Sequence, residues 1–242
     1  MRIKVISCDV MFREICHLAA HSPNQVDVEF LPKGLHDLKS AEMRARLQEK
    51  VDEASSAGEY DAVALAYALC GNGLAGVHAR SIPIVLPRAH DCIALFMGGR
   101  KRYQEYFDSH PGVYFKTSGW IERGNTTNQL TGFAMNMAEL VKKYGEENAQ
   151  YLYEQLNQYQ TTYSKFTYIE MGIEPDGRFE THTRKEANER AWDFEKITGD
   201  MSLLERLVNG QWDEADFLVV PPGYRIAATW DERIVEAREG SL

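Results

Sequence analysis

Short β-branched apolar runs alternate with helix-period stretches through the first 120 residues, and this confines the chain to βαβ units around a parallel sheet. Ile3–Ser7, Val26–Leu31, Asp61–Leu69 and Ile82–Leu86 read as strands. Met11–Ala20, the stretch from Ser40 to Gly58, and Ile93–Met97 read as helices, with Ser40 and Asp91 as N-caps. The third run is apolar almost throughout, as a central strand covered on both faces requires. The expectation is an open, mainly parallel, doubly wound (Rossmann-like) α/β sheet in the order 2-1-3-4-5, with Val113–Lys116 as the fifth strand.

The second half is richer in helix. Leu130–Tyr144 and Glu146–Tyr163 read as two helices, giving a helical insertion around 128–165 in a single α/β domain spanning 1–242. Phe166–Met171 reads as a strand, Glu180–Lys196 as an exposed helix, Met201–Val208 as a short amphipathic helix and Phe217–Val220 as a strand. Residues from Asp231 onward form a charged tail expected to fray. A net charge of −9 argues against nucleic acid, whose phosphates require a basic surface. No apolar run has the roughly 20 residues of a membrane span, and the first residues resemble a strand rather than a secretory signal. A cytoplasmic protein with no membrane partner is expected.

Three of the four cysteines, Cys8, Cys70 and Cys92, fall where apolar strands end. In open parallel sheets ligands bind outside the carboxyl ends of the strands. With neighbouring strands about 4.8 Å apart, the loops after strands one, three and four can share one ion. Thiolates favour soft metals, so the expected occupant is zinc, with iron or an iron–sulfur cluster as alternatives, held by Cys8, Cys70 and Cys92 with His90 as fourth ligand or neighbouring acid/base group. Cys16, on the apolar face of the first helix, is expected to pack in the core.

Cys92 has a second reading. At a helix N-terminus its thiolate would be stabilised, making it a metal-free nucleophile with His90 as its base. Gly71, Asn72 and Gly73 form a loop able to bring backbone N–H groups to a cofactor. Arg88 is the expected contact for an anionic small-molecule substrate, whereas Arg100, Lys101 and Arg102 read as solvated surface. Loops at Thr117–Trp120 and Gly124–Thr127 are expected to wall the pocket. The tyrosines Tyr151, Tyr153, Tyr159 and Tyr163 suggest a core or subunit interface, leaving an oligomer open.

His90-Asp91-Cys92 has the His-x-Cys form of zinc-dependent thiol methyltransferases. Those enzymes take a later cysteine, and none follows Cys92 here, so the chemistry is carried forward and the homology rejected. Leu69-Cys70-Gly71-Asn72-Gly73, Pro87–Cys92, Gly119-Trp120-Ile121-Glu122 and Phe217–Gly223 together resemble a bacterial and archaeal family known as domain of unknown function 1638. The resemblance implies no assigned activity. Association of its members with corrinoid-dependent methyltransferase genes implies one-carbon chemistry and a corrinoid protein as partner. The function expected is therefore methyl or one-carbon transfer to a thiol or corrinoid-linked substrate, and the alternative is a non-catalytic cofactor- or metal-binding accessory protein.

Overall fold

Strand β3 (Ala62–Ala66) is buried along its whole length because helices cover both faces of the sheet around it. Its side chains alternate, with Val63 and Leu65 turned to one core cluster and Ala64 and Ala66 to the other. This arrangement is seen in a computed structural model that describes residues 1–33, 35, 40–123, 141–142, 145–146, 148–149 and 163–240. The insertion expected around 128–165, its two helices, the Gly124–Thr127 loop and Tyr151, Tyr153 and Tyr159 fall almost wholly outside the described residues.

The protein is a mixed α/β structure with mostly parallel sheets. β1 (Arg2–Cys8), β2 (Gln25–Leu31), β3 and β4 (Ile84–Pro87) pair in parallel in the order β2-β1-β3-β4, as expected. Helix α2 (Ser40–Ala57) covers one face with Met43, Leu47, Val51 and Ala54, residues spaced to form one stripe. Helix α1 (Phe12–His21), which follows a 3-10 turn at Asp9–Met11, covers the other.

The fifth place in the sheet departs from expectation. β5 (Val113–Lys116) does not join β4; it begins a second, three-stranded parallel sheet in the order β5-β6-β7. The edge of β4 is taken instead by β8 (Phe217–Val220), which pairs antiparallel and buries Phe217, Leu218 and Val220. β6 (Lys165–Glu170) matches the strand read from sequence. The helix expected over Glu180–Lys196 stops early. Helix α6 (Arg178–Glu189) ends before Ala191, which adopts a φ of 54°, and β7 (Asp193–Thr198) follows. The charges of that stretch hide the alternation that places Phe194 against the Phe166–Ala187 cluster and Ile197 against the main core. Helices α3 (Ile93–Phe96) and α4 (Arg100–Ser109) connect β4 to β5, and the short α5 (Ser118–Glu122) follows β5. Helix α7 (Ser202–Val208) buries Leu203, Leu204, Leu207 and Val208, as its amphipathic pattern predicts.

The segment beyond Asp231 does not fray. β9 (Tyr224–Ala228) and β10 (Val235–Glu239) form an antiparallel hairpin, with Ile234 and Val235 buried. Cys16 is the other correction: it is exposed. The inner stripe of α1 runs through Ile15 and Leu18, leaving the Phe12–Cys16 row on the outer side. One core cluster includes Ile3 and Val85 of the first sheet together with Phe115 and Ile169 of the second. Among the described residues no helix is long and apolar enough to cross a membrane.

Candidate functional site

Parallel pairing does not stop where β3 and β4 formally end. Leu69 N–H donates to Ala89 O at 2.9 Å and Cys70 N–H to His90 O at 3.1 Å, so the segments bearing Cys70 and Cys92 leave the sheet side by side. Cys8, at the end of β1, belongs to the neighbouring strand. These loops open into a cavity of about 570 Å³ whose lining includes all three thiols. Its opposite wall comes from α4 and the second sheet, through Tyr103, Phe107, Val113, Tyr114 and Phe115. Trp120 of α5 and Met43 of α2 close its flanks, and the walls are mainly apolar and aromatic.

The loop after β3 is sharply wound. Cys70, Gly71 and Asn72 have φ values of 46°, 63° and 68°, three consecutive residues in the left-handed region that disfavours side chains other than those of glycine and asparagine. Cys70 packs against both core clusters while lining the cavity, and Gly73 N–H closes the turn on Cys70 O at 3.2 Å. Of the three residues expected to cradle a cofactor, Gly71 lines the cavity, whereas Asn72 and Gly73 lie outside its lining. Gly73 instead gives room to Met43, whose sulfur would collide with a β-carbon at that position.

His90 and Asp91 line the cavity beside Cys92, and His90 is exposed. Cys92, not Asp91, takes the N-cap position of α3, and Asp91 accepts the Ile93 N–H at 2.9 Å from one residue earlier. Arg88 is elsewhere. Its Nε donates to the carbonyl oxygens of Glu214 and Phe217 at 3.0 and 3.1 Å, and its Nη1 to those of Arg233 and Val235 at 3.0 and 2.5 Å. With its donors turned to backbone of β8 and the β9–β10 hairpin, it is not part of the lining. Arg100 and Arg102 likewise donate to the carbonyls of Glu232 and Thr198.

Burial dominates the electrostatics of the thiols. It pushes Cys8 up to about 12 and Cys70 up to about 11, and raises Cys92 well above the ordinary thiol range, with the other two thiols adding to the rise at Cys92. Helix α3 has only four residues, too short for its dipole to offset that desolvation. All three are therefore thiols at neutral pH unless a cation compensates them. Among the described residues, no group of three or more His, Cys, Asp or Glu side chains is disposed to hold a metal ion.

Lys33 and Tyr67 are among the lining residues that escaped the sequence reading. Lys33 directly follows Pro32 at the end of β2, the same sheet edge that made the cysteines conspicuous. Its backbone N–H donates to Asp9 Oδ1 at 2.7 Å, and its ammonium stands 4.2 Å from the centre of the Trp120 ring. Tyr67 is hidden within the apolar run of strand three, where an aromatic reads as core. The aromatic wall from β5 was not foreseeable once β5 had been assigned to the first sheet.

A family model described as a protein of unknown function (DUF1638) matches residues 30–208, and the chain belongs to that family. No curated protein and no solved structure matches it.

Proposed function

We propose that this member of the DUF1638 family binds a small organic molecule in the cavity between its two sheets and acts on it through Cys8, Cys70 and Cys92. The observation that carries this reading is the convergence of three thiols from three separate strand ends on one largely aromatic cavity. A volume of about 570 Å³ falls in the range of small-molecule sites, and apolar walls with a few polar groups are their usual construction. Flat walls such as Tyr103, Tyr114 and Trp120 suit a ligand with a planar or apolar body. Lys33 and His90 are the lining groups able to meet a negative charge on it. The doubly wound, Rossmann-like reading is kept for the first sheet, supported by the β2-β1-β3-β4 order and helices on both faces.

A second reading adds a soft metal, zinc first, bound by the three thiols with His90 or the ligand as fourth donor. Its support is the softness of the donors alone, and it requires the three sulfurs to draw together from where they stand, since no group of three among the described residues is disposed to hold an ion. A zinc-held thiol is a group that transfer chemistry can use, and this is the form in which methyl or one-carbon transfer to a thiol or corrinoid-linked acceptor is proposed.

Elemental analysis and native mass spectrometry of anaerobically purified protein, with serine at each of the three positions, test both readings. A bound organic mass that is lost in the serine variants supports the first, and stoichiometric metal lost in the same variants supports the second. Retention of any bound species in all three variants would remove the thiols from the site.

A further inference from the structure

Charge is divided unevenly along the cavity. At its β2 end stands Lys33, half-buried, with its ammonium 4.2 Å from the centre of the Trp120 ring. Lys33 and Arg123 both act on the carboxylate of Asp9, so among the described residues two cations meet one acid at this corner, in a chain of net charge −9. At the β4 end the lining group is itself an acid. Asp91 lies there beside Tyr103, its carboxylate accepting the Ile93 N–H.

Strand order sets the distance between the two ends. Lys33 follows β2 and Asp91 follows β4, and the order β2-β1-β3-β4 puts three strand intervals, roughly 14 Å, between them. Cys8 ends β1 and Cys70 follows β3, the two strands in the middle, while Cys92 stands at the acidic end. Opposite this row are the aromatic rings of Tyr103 and Phe115, whose centres are 5.9 Å apart.

We infer that the ligand is an elongated planar carboxylate, seated with its anionic group at Lys33 and its uncharged end toward Asp91. Its body then crosses Cys8 and Cys70, and its far end meets Cys92 and His90. This rests on the reading of the cavity as a small-molecule site and names the ligand class for it. The reversed orientation would set the anion against the Asp91 carboxylate, and like charges repel strongly where apolar walls exclude water. One ammonium matches one carboxylate. A phosphate ester carries about two charges and three acceptor oxygens, and the described lining holds no arginine to meet them. The aromatic remainder of the lining favours a flat body over a hydrated one.

Isothermal titration with 2-naphthoate, the neutral 2-naphthamide and 2-naphthyl phosphate tests the class, and Lys33→Gln tests the seat. Wild type should bind the naphthoate about tenfold or more tightly than the amide, the difference expected of a charge-assisted hydrogen bond. Lys33→Gln should lose that preference while binding the amide as wild type does, which also reports an intact cavity. Equal affinity for acid and amide in wild type would overturn the inference and leave the cavity reading standing, as would tightest binding of the phosphate. Equal weakening of acid and amide in Lys33→Gln would overturn it too, assigning Lys33 to the support of Trp120. Loss of the preference in His90→Gln with its survival in Lys33→Gln would seat the anion at the wrong end. Refusal of all three probes would overturn the ligand class, and the cavity reading would fall with it only if native mass spectrometry finds no organic mass on the purified protein.

Discussion

The Cα of Gly119 lies against the carbonyl oxygen of Val10, so closely that a β-carbon at position 119 would overlap that oxygen. This contact fastens α5 to the turn that follows β1 and thereby sets Trp120 at the edge of the cavity. Gly119→Ala must push the two segments apart. Overpacking of this kind costs about 1–3 kcal/mol, to be read from urea denaturation, with a change in tryptophan emission in the native state. Unaltered stability would mean that α5 moves freely and does not brace the site.

Glu14 is 0% exposed, and neither of its carboxylate oxygens has a hydrogen-bond partner among the described residues. Burial raises it to about 7 from an ordinary 4.5, with Glu174 and Glu122 nearby adding repulsion and Arg13 opposing it. Because the folded form holds the proton more tightly than the unfolded chain, the associated stability is complete below pH 4.5, declines as pH rises, and is gone above about 7. The loss amounts to about 3 kcal/mol. Glu14→Gln should flatten this part of the pH profile and be the more stable protein at pH 8. Parallel profiles for the two proteins would contradict the burial argument.

Arg88 stands two residues before His90 in sequence and yet serves the opposite side of β4. Arg88→Ala should destabilise the protein by about 2–3 kcal/mol by leaving carbonyl groups of β8 and the terminal hairpin without their donor. Any metal or organic species bound in the cavity should remain. Its loss, with stability intact, would return Arg88 to the ligand-contact role that its sequence position suggests.

The four thiols should separate by accessibility. Cys16 is exposed, whereas the cavity thiols are pushed up by burial. A thiol-exchange reagent at neutral pH should give one fast and three slow phases, the fast one absent from Cys16→Ser. A fast phase that survives in Cys16→Ser would show one cavity thiol to be ionised, and Cys92 would regain its nucleophile reading.

What could be read from sequence followed from local periodicity. The β2-β1-β3-β4 order needs only neighbouring βαβ units, so apolar runs and helix stripes suffice to predict it, and Cys8, Cys70 and Cys92 come to one edge as a consequence. β8 took the fifth place expected of β5 because each is a short four-residue strand, and nothing local distinguishes a sheet edge from the start of a new sheet. Cys16 was misplaced by one helical step, since Phe12, Ile15, Cys16 and Ala19 form an apolar stripe as plausible as the one actually buried. Arg88 could not be assigned without tertiary structure, because the carbonyls it meets lie in residues 214–235.

The pairing of β4 with β8 also bears on synthesis. Val85 and Leu86 meet their partners Val219 and Leu218 only after more than half of the chain has been added beyond them. Until then the emerging first sheet offers an open apolar edge, the kind of surface on which nascent chains associate. Ribosome-bound chains halted before residue 217 should accordingly recruit chaperones, and release from them should coincide with the appearance of β8.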